Sequence, residues 1–543
     1  MIMSDASTIN TSPPMLPLHK KNTLTRAVLS NWAGYAVMVV TGFVMPRLIS
    51  DELGQKMLGL WDFAWALVSY TELLRLGIVG AASRYVARFA ELNDWTSLNR
   101  IVSTCAMLLL CSFLVACGLI AVLVILTPAL IKENDPLIVD YARQLVVLMG
   151  LSAALQLPLA LYQGVLTGFQ RFDLKNAIRG IIQLAGLIAM IWLVTHGYGL
   201  ASLAIAILAI EVGCALVYMV VSHRIFKPLR IAPSLITRKS IANVLGFGGK
   251  SVMRDLARSS LYQASALIVS AFLGLSALGV YARQRSLVMS VQRILAQFGN
   301  VFAPTASALH AKNDVTALRS LLIKSGRYGY FLALPFVAIL TISGGPLVRV
   351  WMRDPAYEVP LVLAIFALGH LVSLAHRGVF MILVGMNRHG WSALSEMIVA
   401  LASIPLGLVF VGVFKWGLVG AALAVALPVA VGGGLAPAYF ACRALNVPMD
   451  RYFRRVLGMP LLAVSPLVVC LLVARLLLPG EPFWQLVAGA GAGGALLIPV
   501  YWWMVVPASL KNSLTRRLRH RNPPTTQTKN QTVASAVREG LMP

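Results

Sequence analysis

An internal repeat about 220 residues apart constrains the fold of this chain more than any other feature. Four short motifs in the first half return in the second half with nearly the same shift. The paired segments are 53–61 (LGQKMLGLW) with 273–281 (LGLSALGVY), 93–94 with 313–314, 168–171 with 385–388, and 198–206 with 416–424. In a strongly apolar chain, a repeat of this length is typical of membrane transporters built from two related halves.

The composition indicates a membrane protein. Hydrophobic residues make up 58% of the 543 residues and charged residues only 12%, which is roughly half the charged fraction of an ordinary soluble domain. Apolar runs of roughly 20 residues, each long enough to cross about 30 Å of hydrocarbon, number about fourteen and include 27–48, 252–274 and 281–302. We therefore predict an all-α polytopic membrane protein with about 14 transmembrane helices. Too little chain remains between the runs for a soluble catalytic domain, so a transporter without a cofactor is expected rather than an enzyme.

The repeat predicts two pseudo-symmetric six-helix lobes followed by two additional helices. The predicted divisions are a cytoplasmic N-terminal tail at 1–24, an N-lobe of helices 1–6 at 25–225, a cytoplasmic linker at 226–245, a C-lobe of helices 7–12 at 246–442, extra helices 13–14 at 443–508, and a basic disordered cytoplasmic tail at 509–543.

The net charge of +26 would suggest nucleic acid as the partner of a soluble protein. Here, however, the basic residues alternate by loop, and with a cytoplasmic N-terminus most of them fall in the tails and even-numbered loops. This is the positive-inside pattern. Clusters at 20–21, 224–239, 451–455 and 511–521 are interpreted as anchors near anionic membrane lipids. We predict a multi-pass bacterial inner-membrane protein with both termini cytoplasmic and no nucleic-acid partner.

Two other signals are interpreted as structural. The segment GFGGKS at 246–251 resembles the end of a phosphate-binding loop, but the first glycine of that motif would fall at Val244 and no strand precedes it. A nucleotide site is therefore not expected. The six cysteines lie in or beside apolar runs without the spacing of metal ligands, so neither a metal site nor a disulfide is predicted.

Several segments resemble one protein family. The segment at 51–61 (DELGQKMLGLW), continuing to Arg-Tyr-Val at 84–86, resembles the second-helix signature of bacterial polysaccharide-lipid flippases. Further family segments are similar to 164–172 and 272–281. Over about residues 25 to 440 the chain is similar to the polysaccharide/oligosaccharide-lipid flippase family (O-antigen flippase-like) of the multidrug/oligosaccharidyl-lipid/polysaccharide exporter superfamily. The resemblance implies two six-helix lobes around a central cavity that opens alternately to either side and is lined by the first two helices of each lobe. Many relatives carry an acidic residue where this chain has Ser265, which argues against proton or sodium coupling through that position.

Charged residues inside predicted helices are expensive in a bilayer and are therefore the first candidates for a functional site. The candidate substrate-binding residues are Asn31, Asp62, Trp65, Glu72, Arg75, Arg254, Arg258, Arg293, Gln297 and Arg377. Arg293 is the strongest, because it lies about halfway along its predicted helix. For Glu72 and Arg75 the alternative is a local ion pair, since they are three residues apart on one helix. The coupling candidates are Asp62, Glu211, Asp255 and Glu396, for which pairing with neighbouring helices is the alternative.

These cations suit a diphosphate, and the amide and aromatic side chains suit sugars. Together with the resemblance, they predict a flippase that moves an undecaprenyl-diphosphate-linked oligosaccharide to the periplasmic leaflet for O-antigen, capsule or exopolysaccharide assembly. Its expected partners are membrane lipids, this polyprenyl-diphosphate-linked substrate, a polysaccharide polymerase and glycosyltransferases. The alternative is a cation-coupled multidrug exporter on the same fold, because the intramembrane acids roughly match the bases in number.

Overall fold

The computed structural model describes residues 39–504, apart from residues 76 and 300 and the side chains of residues 247–260. The described part is all-α and contains no strand. Long apolar helices follow one another with short connections, so the predicted fold class of an all-α polytopic membrane protein is confirmed.

The first half of the described chain begins with α1, which covers 39–53. The helices that follow are α2 (Gln55–Val68), α3 (Ile78–Glu91), α4 (Trp95–Leu130), α5 (Pro136–Gly168), α6 (Phe172–Thr195) and α7 (Leu200–Ile225). The second half contains α8 (Arg238–Leu273), α9 (Leu275–Gly299), α10 (Phe302–Ala311), α11 (Val315–Ile342), α12 (Gly344–Met352), α13 (Pro360–Ala375), α14 (Arg377–Gly385), α15 (Gly390–Gly407), α16 (Gly417–Pro428) and α17 (Ala436–Ala444). Two further helices, α18 (Met449–Leu477) and α19 (Pro482–Met504), complete the described chain.

Eleven helical stretches in the described part are long and apolar enough to cross a membrane. The predicted count of about fourteen is therefore not confirmed. The predicted run at 27–48 lies largely outside the described residues, and in α8 only Leu261–Leu273 counts as a short apolar helix. The run at 281–302 falls on α9, which is helical but is not among the eleven because its arginines make it too polar.

The sequence repeat returns as a repeat of backbone conformation. Gly54 and Gly274 both have a φ of +90°, a conformation that glycine adopts without steric cost. Asn93 and Asn313 both occupy the left-handed region, with φ of 52° and 53°. In each half the aspartate after this asparagine caps the next helix by accepting a 2.9 Å hydrogen bond from a backbone amide three residues on. The motifs thus mark the same turns in both halves, whereas the lobe boundaries stay predictions.

Three irregular segments that interrupt or follow helices line cavities. A 3-10 segment at Ser69–Arg75 follows α2, a break at His376 separates α13 from α14, and a π-helical segment at Val429–Leu435 follows α16. Irregular backbone at membrane depth is tolerated where it is buried in protein or lines a polar cavity. Each of these interruptions contributes residues to the wall of one of the two cavities described below.

The last two helices, α18 and α19, form a pair that packs on α11. Gly489 and Gly493 allow close contact within the pair, because a Cβ atom on either would lie only 3.1 or 2.4 Å from a leucine side chain of α18. The Tyr501 hydroxyl donates a 2.5 Å hydrogen bond to the Phe331 carbonyl on α11. The pair is thereby attached to the second half of the chain.

Candidate functional site

The two halves meet closely at one end of the molecule, here called the closed end, where α2 and α9 cross at Gly59 and Gly279. A Cβ atom on Gly59 would lie 1.8 Å from the Leu275 carbonyl oxygen, and one on Gly279 would lie 3.2 Å from the Gln55 carbonyl oxygen. The Gln55 amide also donates a 3.1 Å hydrogen bond to the Ser276 carbonyl. The repeated glycine of the 53–61 motif therefore permits the contact between the halves.

A buried ion pair joins the same two helices. Arg283 on α9 places Nη2 2.6 and 2.7 Å from the two carboxylate oxygens of Asp62 on α2. The two side chains are only 5% and 14% exposed. Nε and Nη1 of Arg283 are buried without a hydrogen-bond partner among the described residues. Asp62, a predicted cavity and coupling residue, is thus held at the contact between the halves.

The connection between α4 and α5, at 131–135, also closes this end. The Lys132 backbone amide donates a 3.0 Å hydrogen bond to the Ser270 carbonyl on α8, which ties the first half to the second. The Glu133 carboxylate forms a 2.7 Å ion pair with the ammonium group of Lys56 at the start of α2. The hydrogen bond from Lys56 lowers the pKa of Glu133 below its ordinary value.

Replacing Glu133 with Gln should weaken the closed end only slightly. Lys56 is 42% exposed and Glu133 13%, and exposed pairs contribute about 0–1 kcal/mol. Because folding lowers the pKa of Glu133, the stabilisation is present above the ordinary value of 4.5 and is lost as the pH falls through the lowered pKa. In thermal unfolding of detergent-solubilised protein, the variant should be slightly less stable than the wild type at neutral pH. In acid the wild type loses the same contribution, so the two proteins should become equally stable. The exposed Glu481, changed to Gln, is the matched control, and identical pH dependence of wild type and Glu133→Gln would contradict the prediction.

The first half contains an open polar cavity of about 360 Å³, here called the N-half cavity. Its walls are the 3-10 segment Ser69–Arg75 and helices α5, α6 and α7. The charged and amide side chains that line it are Glu72, Arg75, Gln156, Gln163, Lys175, Asn176, Arg179 and Glu211. An adjoining pocket of about 120 Å³ shares Glu72 and Arg179 with it and adds Trp65.

The charges of the N-half cavity are only partly paired. Arg179 on α6 donates to Glu211 on α7 at 2.8 Å. Arg75 donates to the Gln156 side-chain oxygen at 3.2 Å, and within the described part it forms no ion pair with Glu72. The local Glu72 to Arg75 pair considered from the sequence is therefore not the arrangement in the structure, whereas Glu211 does pair with a neighbouring helix.

The second half encloses a cavity of about 270 Å³, here called the C-half cavity. It lies among α8, α9 and α13 to α17, and its polar side chains are Tyr262, Gln292, Arg293, Gln297, Ser373, Arg377 and Glu396. Arg293 is exposed and has neither a hydrogen bond nor an ion pair in the described part of the chain. Arg377 lies over the Phe380 ring, 5.8 Å from its centroid.

The two cavities occupy repeat-related positions. The shift of the third repeated motif aligns Gln156 with Ser373 and Arg179 with Glu396, and all four line the cavities. The two halves therefore have polar residues at repeat-related positions, but the residues differ in type and in charge.

The structure groups most of the predicted site residues into these cavities. Trp65, Glu72, Arg75 and Glu211 belong to the N-half cavity and its adjoining pocket, and Arg293, Gln297, Arg377 and Glu396 line the C-half cavity. Asn31 lies outside the described residues, and so do the side chains of Arg254, Asp255 and Arg258.

Sequence reasoning missed five polar residues of the N-half cavity, namely Asn176 and two pairs on α5 and α6. Lys175 and Arg179 are one helical turn apart on α6, and Gln156 and Gln163 are two turns apart on α5. Both spacings place the pair on one helix face, so a search for polar residues four or seven apart could have found them. The rejected phosphate-loop segment at 246–251 lies within helix α8. No cluster of His, Cys, Asp and Glu suited to a metal ion occurs among the described residues.

Apolar helices in two repeat-related halves, each with an internal polar cavity, define a multi-pass membrane protein with a transporter fold. Residues 93–354, a little under half of the chain, match the family model described as polysaccharide biosynthesis protein. No curated protein sequence matches the chain.

Solved structures identify the fold more narrowly. The inward-facing conformation of a multidrug resistance MATE family transporter of the MOP superfamily is 14% identical, with a TM-score of 0.66, and the match covers 75% of this chain and 95% of that one. The lipid II flippase MurJ in an inward closed conformation is also 14% identical with a TM-score of 0.66, and the match covers 88% and 98%. A MOP superfamily transporter from Pyrococcus furiosus is 15% identical, with a TM-score of 0.57 and coverage of 79% and 97%.

These matches confirm the resemblance that the motifs indicate. The chain has the fold of the multidrug/oligosaccharidyl-lipid/polysaccharide exporter superfamily, and its region 93–354 is similar to the polysaccharide biosynthesis family.

Proposed function

We propose that this protein flips an undecaprenyl-diphosphate-linked oligosaccharide across the inner membrane for surface polysaccharide assembly. The observation that carries the proposal is the C-half cavity, where Arg293 and Arg377 face one space and Glu396 is the acid among the described lining residues. An arginine about 4 Å from a phosphate contributes roughly 4 kcal/mol of Coulomb attraction at an effective dielectric near 20, before desolvation is subtracted. The basic side chains of this cavity, with Arg293 unpaired in the described part of the chain, support an anionic headgroup such as a diphosphate.

Flipping needs no bond to form or break. The polar headgroup would cross between the halves while the prenyl tail stays in lipid, because charged groups are costly in hydrocarbon. The contact at Gly59 and Gly279 would then open as the opposite end closes. The connection at 131–135 carries few basic residues compared with the linker at 224–239, so by the positive-inside rule the closed end faces the periplasm. In this conformation the cavities would receive substrate from the cytoplasm.

Within the proposed function, Glu396 is the best candidate for ion coupling. Asp62 and Glu211 are each held by an arginine at 2.8 Å or less, whereas Glu396 has no ion pair in the described part of the chain. Ser265 is buried and donates to the Tyr262 carbonyl at 2.8 Å, so coupling through a carboxylate at that position is not available. The membrane potential or an ion gradient would set the direction of transport.

The proposed setting is the bacterial inner membrane, with both termini cytoplasmic. Glycosyltransferases would supply the lipid-linked substrate on the cytoplasmic side. A polysaccharide polymerase would use it after transfer, so both are proposed partners. O-antigen, capsule and exopolysaccharide are the candidate polymers.

Deleting the gene should abolish surface polysaccharide and cause lipid-linked oligosaccharide to accumulate on the cytoplasmic side of the membrane. Re-expression of the chain should reverse both changes, because only the transfer step is missing. The measurement is mass spectrometry of the lipid-linked pool together with electrophoresis of surface polymer. Unchanged polymer and lipid pools would contradict the proposal.

A multidrug exporter is the second candidate. The observation that favours it is the match to a multidrug resistance MATE family transporter, with a TM-score equal to that of the MurJ match. Glu72, exposed in the N-half cavity, would suit an organic cation. The same deletion strain separates the two proposals, because new sensitivity to cationic drugs with normal polymer favours the exporter.

A further inference from the structure

Two cations of the N-half cavity have no acidic partner within 4 Å in the described part of the chain. Nε of Arg75 is buried without a hydrogen-bond partner, and its Nη2 reaches only the neutral Gln156 side chain. The Lys175 ammonium donates to the Thr167 hydroxyl at 3.4 Å and lies 6.0 Å from the centroid of the Phe172 ring. Holding a half-buried cation without a counter-ion is costly. The cavity is therefore built to receive negative charge.

The other charges of this cavity do not remove the imbalance. Arg179 is neutralised by Glu211 at 2.8 Å. Glu72 is the remaining acid among the described lining residues, and the remaining cations are Arg75 and Lys175. The described lining of the N-half cavity thus carries one net positive charge.

The separation of Arg75 and Lys175 indicates what shape of ligand could contact both. Arg75 contacts Gln156 and Lys175 contacts Thr167, eleven residues further along α5, which corresponds to about 16 Å of helix. Gln163 lies on the same wall between the two contacts. An extended chain suits two cations separated in this way better than a single small anion does. The amide groups between the cations supply the donors and acceptors that sugar hydroxyls need.

We propose that the N-half cavity binds the oligosaccharide of the flipped lipid, and that this oligosaccharide carries carboxylate groups. The inference rests on the proposed function, because it assigns the sugar chain to one half and the diphosphate to the other. Arg75 and Lys175 hold the carboxylates at the two ends of the wall. Glu72 accepts hydrogen bonds from hydroxyl groups, and Trp65 in the adjoining pocket offers an aromatic face. The substrate class is therefore an acidic rather than a neutral oligosaccharide.

The test uses the full chain in nanodiscs and two probes, tetragalacturonate and its methyl ester, which share the sugar chain and differ in that each carboxylate is replaced by an uncharged methyl ester. Wild-type protein should bind the acid about 10- to 100-fold more tightly than the ester, because the acid meets unpaired cations. Lys175→Gln should reduce the affinity for the acid more than that for the ester and so narrow the preference, while Arg75 keeps part of it. Lys175→Arg should keep the preference. Lys324→Gln, at an exposed lysine of α11 outside both cavities, is the matched control and should bind like wild type.

No binding of the acid, or equal affinity for acid and ester in the wild type, overturns the inference. An equal loss of both ligands in Lys175→Gln, with the preference also lost in Lys175→Arg, overturns it as well, because the lysine would then only support the fold. Proteoliposomes loaded with fluorescent polyprenyl-diphosphate oligosaccharides separate this inference from the proposed function. Faster transfer of the acidic chain supports the inference. Equal transfer of acidic and neutral chains overturns it and leaves flipping intact, whereas transfer of neither overturns the proposed function.

Discussion

Arg293→Gln should abolish flipping while the protein still reaches the membrane at its normal level. Arg293 is exposed in the C-half cavity and makes no ion pair or hydrogen bond in the described part of the chain, so its loss removes little that holds the fold together. The same loss removes one of the two cations assigned to the diphosphate. If the full Coulomb attraction of roughly 4 kcal/mol were realised, the headgroup would be held several hundred-fold more weakly.

The measurement is the lipid-linked oligosaccharide pool and surface polymer of a deletion strain that expresses the variant, with an immunoblot of the membrane fraction. Arg293→Lys should keep part of the activity, because it retains the charge but loses the planar donor geometry of arginine. Arg451→Gln, at an exposed arginine of α18 outside both cavities, is the matched control and should behave like wild type. Normal polymer output from Arg293→Gln would contradict the assignment of the diphosphate to this cavity.

The helical class and the turns of this fold could be predicted from the sequence because they depend on local residues. Apolar runs set the helices, and a Gly or Asn at a fixed place in the repeat marks left-handed turns such as those at Gly54 and Asn93. The grouping of Arg293 with Gln297 could also be predicted, since the two are one helical turn apart and share a face.

The partners of charged residues could not be predicted in the same way. Helical periodicity places Asp62 on the face of Trp65 and Glu72, but it does not tell which helix packs against that face. Its partner Arg283 lies 221 residues away. Lys175 was missed because a lysine near a helix end usually extends to the headgroups, and only the fold shows that it lines a cavity instead.

Arg283→Met should destabilise the protein by about 3–5 kcal/mol, because it leaves the Asp62 carboxylate buried without its partner. The double variant Asp62→Leu with Arg283→Met should recover most of that loss, since an apolar pair of similar volume often replaces a buried ion pair at little cost. The measurement is the free energy of unfolding in detergent. Arg349→Met is the matched control. It breaks the Arg349 to Glu358 pair at 3.2 Å, whose side chains are 41% and 26% exposed, and should cost no more than about 1 kcal/mol.

The double variant should nevertheless flip its lipid more slowly than the wild type, and this separates a role in transport from a role in stability. In the proposed transport cycle the closed end opens, and Asp62 and Arg283 would then enter water, where hydration of the two charges offsets the loss of their mutual attraction. Leucine and methionine at the same positions gain nothing from water, so opening exposes apolar surface at about 25 cal/mol per Å². The closed end of the double variant is therefore expected to stay shut longer. Wild-type flipping rates in a double variant of normal stability would show that the ion pair serves the fold alone.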